Sequence, residues 1–348
     1  MTHQVREIDD SGRALWNALV ESHPLGQGRV TTEARPWWKA SSWSMHLIGA
    51  FRGDTLVGGA VICTKKIPLL PWWLGRIVAL LPDPGDIAGS SSILLKACAS
   101  LARRTRVVEI EARLPVMGID DPDYSRFYEG ISRTLVSDGY AERRPGDGTY
   151  LVRVDRNDAD LLESMSAKCR RDVRKGQREG VTMVGMANAR DFDLFCETHQ
   201  AMKARKGLGE PSHSDYEKYR AMFEGDRVRL FSAQYQGRTC NMALLDTLGV
   251  PRYLLGAMTS AAYQKGTPPT GQLLHFEIMR RLRQEGARYY DLGGSPGPVP
   301  IRGHSNYDVW RFKHEFGGVF VRAMSSHSKL MSVVAGWVPA IARSLGRL

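Results

Sequence analysis

Short β-patterned runs alternate along this chain with longer stretches of helical spacing. Met45-His-Leu-Ile-Gly-Ala-Phe51 and Leu56-Val-Gly-Gly-Ala-Val-Ile-Cys63 flank Arg52-Gly-Asp-Thr55, and a Gly-Asp turn between two such runs predicts a hairpin. The arrangement recurs in the second half: Val228 to Gln234, the turn Tyr235-Gln-Gly-Arg238, then Thr239 to Asp246. Each hairpin follows a helical stretch. Each leads, after more β-like sequence, to an amphipathic helix (Ser91 to Arg104, Gly271 to Glu285) and a further strand (Val107 to Ala112, Ala287 to Leu292). The order helix, hairpin, strand, helix, strand therefore runs twice, which predicts two similar α/β modules with mixed sheets. The halves share little residue identity, so the repeat is one of pattern. The seam is expected between Arg143 and Asp160, where Pro145-Gly-Asp-Gly148 supplies turn chemistry.

Composition narrows the class. Hydrophobic residues are 43% and charged residues 24% of 348, ordinary globular values that exclude bulk disorder. The 48 Lys and Arg against 37 Asp and Glu leave a net charge of +11, which suits nucleic acid, nucleotide phosphates or an anionic membrane, or else simply solvates the surface. Cys63, Cys98, Cys169, Cys196 and Cys240 show no CxxC or Cys/His metal spacing. Their scatter fits a reducing cytoplasm better than a disulfide framework. The N-terminal residues are polar, without the apolar core of a signal peptide. The most apolar run, Ile67 to Pro82, is broken by Pro68, Pro71 and Arg76 and is too short to cross a bilayer. A cytoplasmic protein is expected.

Three segments carry candidate chemistry. The helix expected over Leu161 to Arg178 holds Lys168, Arg170, Arg171, Arg174 and Lys175, with Lys168, Arg171, Arg174 and Lys175 three to four residues apart on one face. Such a run is either a solvated face or a phosphate-contacting one. No aromatics interleave with it for base stacking. Tyr289-Tyr-Asp-Leu-Gly-Gly294 places Asp291 near a strand end, either as an Asx-turn cap or at a ligand site. In Trp310-Arg-Phe-Lys-His-Glu-Phe-Gly-Gly318, Lys313 stands between Phe312 and Phe316. It is either an ordinary strand lysine or an ammonium held in a partly apolar cleft, where it stabilises developing negative charge or grips a phosphate.

Taken in order, the basic segment ending in Gly180-Val181, Tyr253-Leu-Leu-Gly-Ala257, the Pro-containing loop and helix from Pro268 to Arg283, and the Tyr-Asp-x-Gly-Gly and Phe-Lys-x-x-Phe-Gly-Gly pair strongly resemble the FemAB/FemX family. These are aminoacyl-tRNA-dependent peptidyltransferases, and the likeness covers most of residues 30–325. The resemblance implies two tandem GNAT-like domains: 1–150 binding the acceptor, 151–327 binding aminoacyl-tRNA and catalysing transfer. A basic amphipathic tail, 328–348, remains. It implies transfer of an amino acid onto an amine of a peptidoglycan precursor or, as in several relatives, of a peptide antibiotic. Carried over by position, Lys313 stabilises the oxyanion or contacts the tRNA acceptor end, and Phe312 shapes that pocket. The basic helix binds tRNA. Lys39, after Trp37 and Trp38, matches a lysine that binds acceptor phosphates, and Trp38, Tyr216 and Tyr253 line the acceptor site.

Two departures from the family stand out. Nothing between Thr182 and Tyr253 has heptads for the long coiled-coil arm of many members. Ser212 also stands where an acceptor-binding Arg is common, which shifts the expectation towards a lipid-linked or non-wall acceptor. An aminoacyl ester is already activated, so no metal, ATP or other cofactor is required; the proton leaves through substrate groups or Asp291. Two other classes stay open, an acyl-CoA-type GNAT enzyme and a non-catalytic RNA-binding module. For the first, Gln264-Lys-Gly-Thr-Pro-Pro-Thr-Gly271 does not fit the pyrophosphate-turn spacing. The tail, with Trp337, Ile341 and Leu345 against Lys329, Arg343 and Arg347, either rests on an anionic membrane or packs on the second domain, and Pro339 limits its helix.

Overall fold

The computed structural model describes residues 3–207, 213–295 and 307–332. The chain divides into two units, Met1–Asp147 with Arg322–Leu348, and Gly148–Val321. The first unit runs β1 (Gln4–Ile8), α1 (Arg13–Ser22), α2 (Arg35–Ala40), β2 (Ser44–Arg52), β3 (Thr55–Lys66), β4 (Trp73–Leu81), α3 (Ile87–Arg104), β5 (Val107–Ala112), α4 (Pro122–Ser137) and β6 (Ala141–Arg144). The second runs β7 (Gly148–Arg153), α5 (Asp158–Ser164), α6 (Ala167–Arg178), β8 (Thr182–Met186), α7 (Ala189–Arg205), α8 (His213–Glu224), β9 (Val228–Tyr235), β10 (Arg238–Asp246), β11 (Arg252–Met258), α9 (Thr270–Gln284), β12 (Tyr289–Ser295), α10 (Tyr307–Glu315) and β13 (Val319–Arg322). A last strand, β14 (Ser326–Leu330), returns to the first unit.

Both sheets have seven strands in matching order, β1-β2-β3-β4-β5-β14-β6 and β13-β7-β12-β11-β10-β9-β8. The doubled pattern read from the sequence is therefore a doubled fold. In each, one parallel pair (β4 with β5, β11 with β12) sits among antiparallel neighbours. A helix, α3 or α9, makes the crossover that a parallel pair needs. The second hairpin turns on Gln236 (φ 49°) and Gly237 (φ 71°). Two left-handed residues in a two-residue loop match the right-handed twist of the strands they join. The longest helix among the described residues is α3.

The first sheet is completed by a strand from the far end of the chain, and the second by the strand that opens its unit. β14 lies between β5 and β6, antiparallel to both, and β7 lies between β12 and β13. This corrects two expectations. Residues 328–330 are sheet rather than the start of an amphipathic tail, because Ser326, His327 and Ser328 are buried against strands on either side. Residues 322–327 belong to the first unit, not the second. Residues 333–348 of the tail, and Ser212, lie outside the described residues. The turn at residues 145–148 needs its glycines: a Cβ on Gly146 would overlap the Ala323 carbonyl, and one on Gly148 the Phe320 ring.

Each unit has its own core. In the first, Leu94, Leu95 and Cys98 of α3 and Phe127, Ile131 and Leu135 of α4 pack with the sheet. In the second, Cys169 and Val173 of α6 join Leu273, Phe276 and Met279 of α9. All five cysteines are free and four are buried. Burial pushes the Cys98 thiol up to about 12. Trp16, fully buried, lies over Gly59, where an added Cβ would meet its ring at 2.5 Å. Gly59→Ala is expected to destabilise the first unit by about 1–3 kcal/mol through overpacking, read as a lower thermal midpoint; an unchanged midpoint would reject this packing constraint.

Candidate functional site

The chemistry-bearing groups of the second unit gather where β12 breaks its register. Between Asp291, opposite Leu151, and Gly294, opposite Thr149, β12 carries one residue more than β7. Gly293 takes φ 85° at this bulge, a conformation that favours glycine, and a Cβ there would stand 3.0 Å from the Tyr253 carbonyl. Asp291, 1% exposed, fixes the bulge. Its Oδ1 accepts from the Gly293 N–H at 2.7 Å and from the Thr149 hydroxyl, and its Oδ2 pairs with Arg252 Nε at 3.2 Å. The Asx turn suggested by the sequence is present. The expectation that Asp291 takes up the reaction's proton does not fit: the carboxylate is sealed off and already serves three donors.

That kink presents the Gly294 carbonyl to Lys313, whose Nζ donates to it. Lys313 lies on α10, not on a strand, and is 6% exposed. Burial draws its pKa down to about 8 against the opposing pull of Asp291, with Arg252 adding to the fall. The ammonium has three donors, and this bond uses one.

An aromatic cluster walls the same region. Phe312 on α10 and Phe316 just beyond its last residue meet edge-on, ring centroids 5.0 Å apart. His275 of α9 sits among Tyr253 (4.8 Å), Phe312 (5.2 Å) and Phe316 (5.4 Å). Its Nδ1 lies 3.0 Å from the Tyr290 hydroxyl. Burial holds the imidazole neutral, its pKa drawn down to about 3. Tyr253 reaches this cluster from β11, where Leu254 is an extra residue in the register. Its hydroxyl lies over Gly256, where a side-chain carbon would overlap it, and burial raises it to about 12. After Phe316, Gly317 (φ 75°) lets the backbone pass the Ser164 carbonyl with no room for a Cβ.

The basic helix expected over Leu161 to Arg178 is two helices. Ser166 interrupts it, its hydroxyl capping α6 by accepting from the Cys169 N–H at 3.1 Å. The charges also separate. Lys168 pairs with Asp172 (3.1 Å) and Glu315 (3.5 Å), and Arg170 donates to the Glu163 and Met165 carbonyls, securing the break. Lys175 reaches Glu179 at 3.9 Å. Arg171 and Arg174 are exposed and make no ion pair with a described residue.

Comparison with known proteins agrees with this architecture. The acetyltransferase (GNAT) domain family matches residues 163–308. The chain is 26% identical over 379 residues to the lipid II:glycine glycyltransferase of Staphylococcus aureus (strain COL), covering 86% of this chain and 87% of that protein. It is 21% identical over 377 residues, with the same coverage, to the enzyme of that name from Staphylococcus saprophyticus. The crystal structure of FemX superposes with a TM-score of 0.79 at 18% identity, covering 94% of this chain and 97% of that one. These likenesses support the resemblance to the FemAB/FemX family that the motifs carry.

Of the positions that the FemAB/FemX resemblance brings forward, the second unit collects Asp291, Phe312, Lys313 and Tyr253. Tyr216 instead is 3% exposed on α8, its hydroxyl 2.7 Å from His199 Nδ1. Trp38 is a buried wall residue of the first unit, its indole N–H donating to the Arg29 carbonyl at 2.9 Å. Lys39 follows it on α2, exposed. Sequence reasoning missed Thr149, Arg252 and His275. Arg252 adjoins Tyr253, and His275 sits in the amphipathic helix as one more core position; Thr149 carries no local signal, being 142 residues from the carboxylate it binds.

The neutral His275 has a pH consequence. Its folded pKa, about 3, lies below its ordinary 6.5, so the unfolded chain binds the proton first. The stability from burying the neutral ring is complete above about pH 6.5 and is lost progressively as pH falls towards 3. Denaturant midpoints of the second-unit transition should fall over that window, with a flatter profile in His275→Phe. Equal slopes for the two proteins would refute the assignment.

Proposed function

We propose that this protein transfers an amino acid from an aminoacyl-tRNA to an amine of a peptidoglycan precursor. The observation that carries the reading is Lys313, a buried ammonium that donates to the Gly294 carbonyl and has donors to spare. The acceptor amine attacks the ester carbonyl carbon, and the carbonyl oxygen takes the negative charge. Lys313 offsets that charge from a desolvated position, where a fixed cation is worth most. Collapse forms the amide and breaks the carbon–oxygen bond to the tRNA ribose. The proton that the amine sheds ends on the departing ribose oxygen. Asp291 and Arg252 hold the turn that positions Lys313, and Phe312 shapes the pocket beside it.

The exposed Arg171 and Arg174 of α6 contact tRNA phosphates in this reading, with Lys175 beside them. The second unit takes the donor. The first takes the acceptor, with Lys39 on its phosphates, and the glycyltransferase relatives named for lipid II favour a lipid-linked one. A free peptide is the other acceptor that a transfer assay must include. The acyl-CoA reading fares worse on two counts. Pro268 and Pro269 remove two N–H donors just ahead of α9, and in the first unit the Asp86 carboxylate occupies the start of α3 by accepting from the Gly89 N–H.

Transfer of radiolabelled amino acid from charged tRNAs to nucleotide-linked muropeptide, lipid-linked muropeptide and free peptide, with an RNase control, tests the reaction. RNase-sensitive label on an acceptor is expected; label drawn only from an acyl thioester would replace this reading. Lys313→Met should lower turnover about 100- to 1,000-fold, the loss typical of one oxyanion donor, with the thermal midpoint kept. The rate should also decline as pH rises through about 8, where Lys313 loses its proton. Undiminished turnover in the variant would remove Lys313 from the chemistry.

A further inference from the structure

The connection between β3 and β4 in the first unit carries an exposed apolar tip. Ile67-Pro-Leu-Leu70 closes a turn through the Leu70 N–H to the Ile67 carbonyl, 3.2 Å, with Pro68 at its second position and Leu69 at its third. Leu69 takes φ 65°. A proline followed by a left-handed residue is a type II turn, whose third position calls for glycine. Here it holds a leucine that is 93% exposed. The tip is nevertheless firmly mounted. Ile67 N–H donates to the Trp72 carbonyl at 3.0 Å and Trp73 N–H to the Arg106 carbonyl at 3.1 Å. Leu70, Trp72 and Leu74 pack, partly buried, on a small cluster of Ile67 and Val108.

Cations surround this apolar tip. Lys65 and Lys66 precede it, and Arg106 stands at its base, one turn beyond Arg103 at the end of α3. None of these four makes an ion pair with a described residue; Lys65 and Arg76 lie over the Trp43 ring at 5.8 and 4.8 Å. A leucine projecting into solvent from a strained position, partly exposed tryptophans just behind it and unpaired lysines at the rim match the layers of a bilayer interface: acyl chains, the aromatic level, anionic headgroups.

We propose that residues 65–73 are a membrane-docking wedge, with Leu69 and Leu70 entering the acyl boundary of an anionic bilayer and Lys65 and Lys66 on its phosphates. The wedge belongs to the first unit and does not depend on the transfer reaction. No described helix is long and apolar enough to cross a membrane, so contact here is peripheral.

Co-sedimentation of the full chain with phosphatidylglycerol–phosphatidylcholine vesicles, against phosphatidylcholine alone, tests it. Wild type should bind the anionic vesicles more tightly. Leu69→Gly, which suits the left-handed position and so keeps or raises the thermal midpoint, should weaken binding about tenfold, roughly the worth of one leucine side chain withdrawn from an apolar phase. Lys65→Glu with Lys66→Glu should abolish the preference for anionic lipid. Equal binding by Leu69→Gly and wild type, or no vesicle binding by wild type, would overturn the proposal. So would a vesicle-free dimer of wild type that Leu69→Gly converts to monomer, because the tip would then be an interface between copies of this chain.

Discussion

One buried carboxylate organises the second unit's site. Asp291 takes the Thr149 hydroxyl from β7, the Gly293 N–H from its own turn and Arg252 from β11. It thereby ties together three neighbouring strands at the point where β12 departs from register. A carboxylate so enclosed is costly unless each oxygen finds donors. The donors it has are the ones that fix the Gly293–Gly294 kink. The kink aims the Gly294 carbonyl at Lys313, and the lysine's position follows from that hydrogen bond. The Tyr-Asp-x-Gly-Gly and Phe-Lys-x-x-Phe-Gly-Gly motifs are thus two halves of one local structure.

The balance of charges explains why Lys313 is poised rather than inert. Burial favours the uncharged amine, and the negative Asp291 pulls the other way. The outcome keeps the ammonium largely protonated at neutral pH while leaving its charge poorly screened. The glycines are tuned to the same end: Gly293 supplies a left-handed residue, and Gly317 lets the chain after α10 pass the end of α5 without a clash.

Much of this was legible along the chain, because hairpins, amphipathic helices and glycine turns are local. The hairpin β2–β3, the helices α3 and α9 and the strand β5 lie within a few residues of where pattern places them. So do the glycine-ended motifs around Asp291 and Lys313. The misplacements share a cause. Residues 161–178 look like one charged helix because charge periodicity does not register a capping serine in its midst. Arg170 and Lys168 look like members of a phosphate-binding segment, yet they are consumed by carbonyls and carboxylates that fold beside them.

By itself, then, the sequence determined two α/β repeats, the turns that join their strands, and the identity of the lysine and the aspartate worth attention. These depend on interactions spanning a few residues, which composition and spacing encode directly. Tertiary structure alone decided that β14 closes the first sheet and β7 the second. It also decided that Thr149 and Arg252 make Asp291 a brace rather than a base. The physical reason is sequence separation: a strand's partner and a buried carboxylate's donors are chosen by which surfaces meet in the folded chain, and 142 residues divide Thr149 from Asp291.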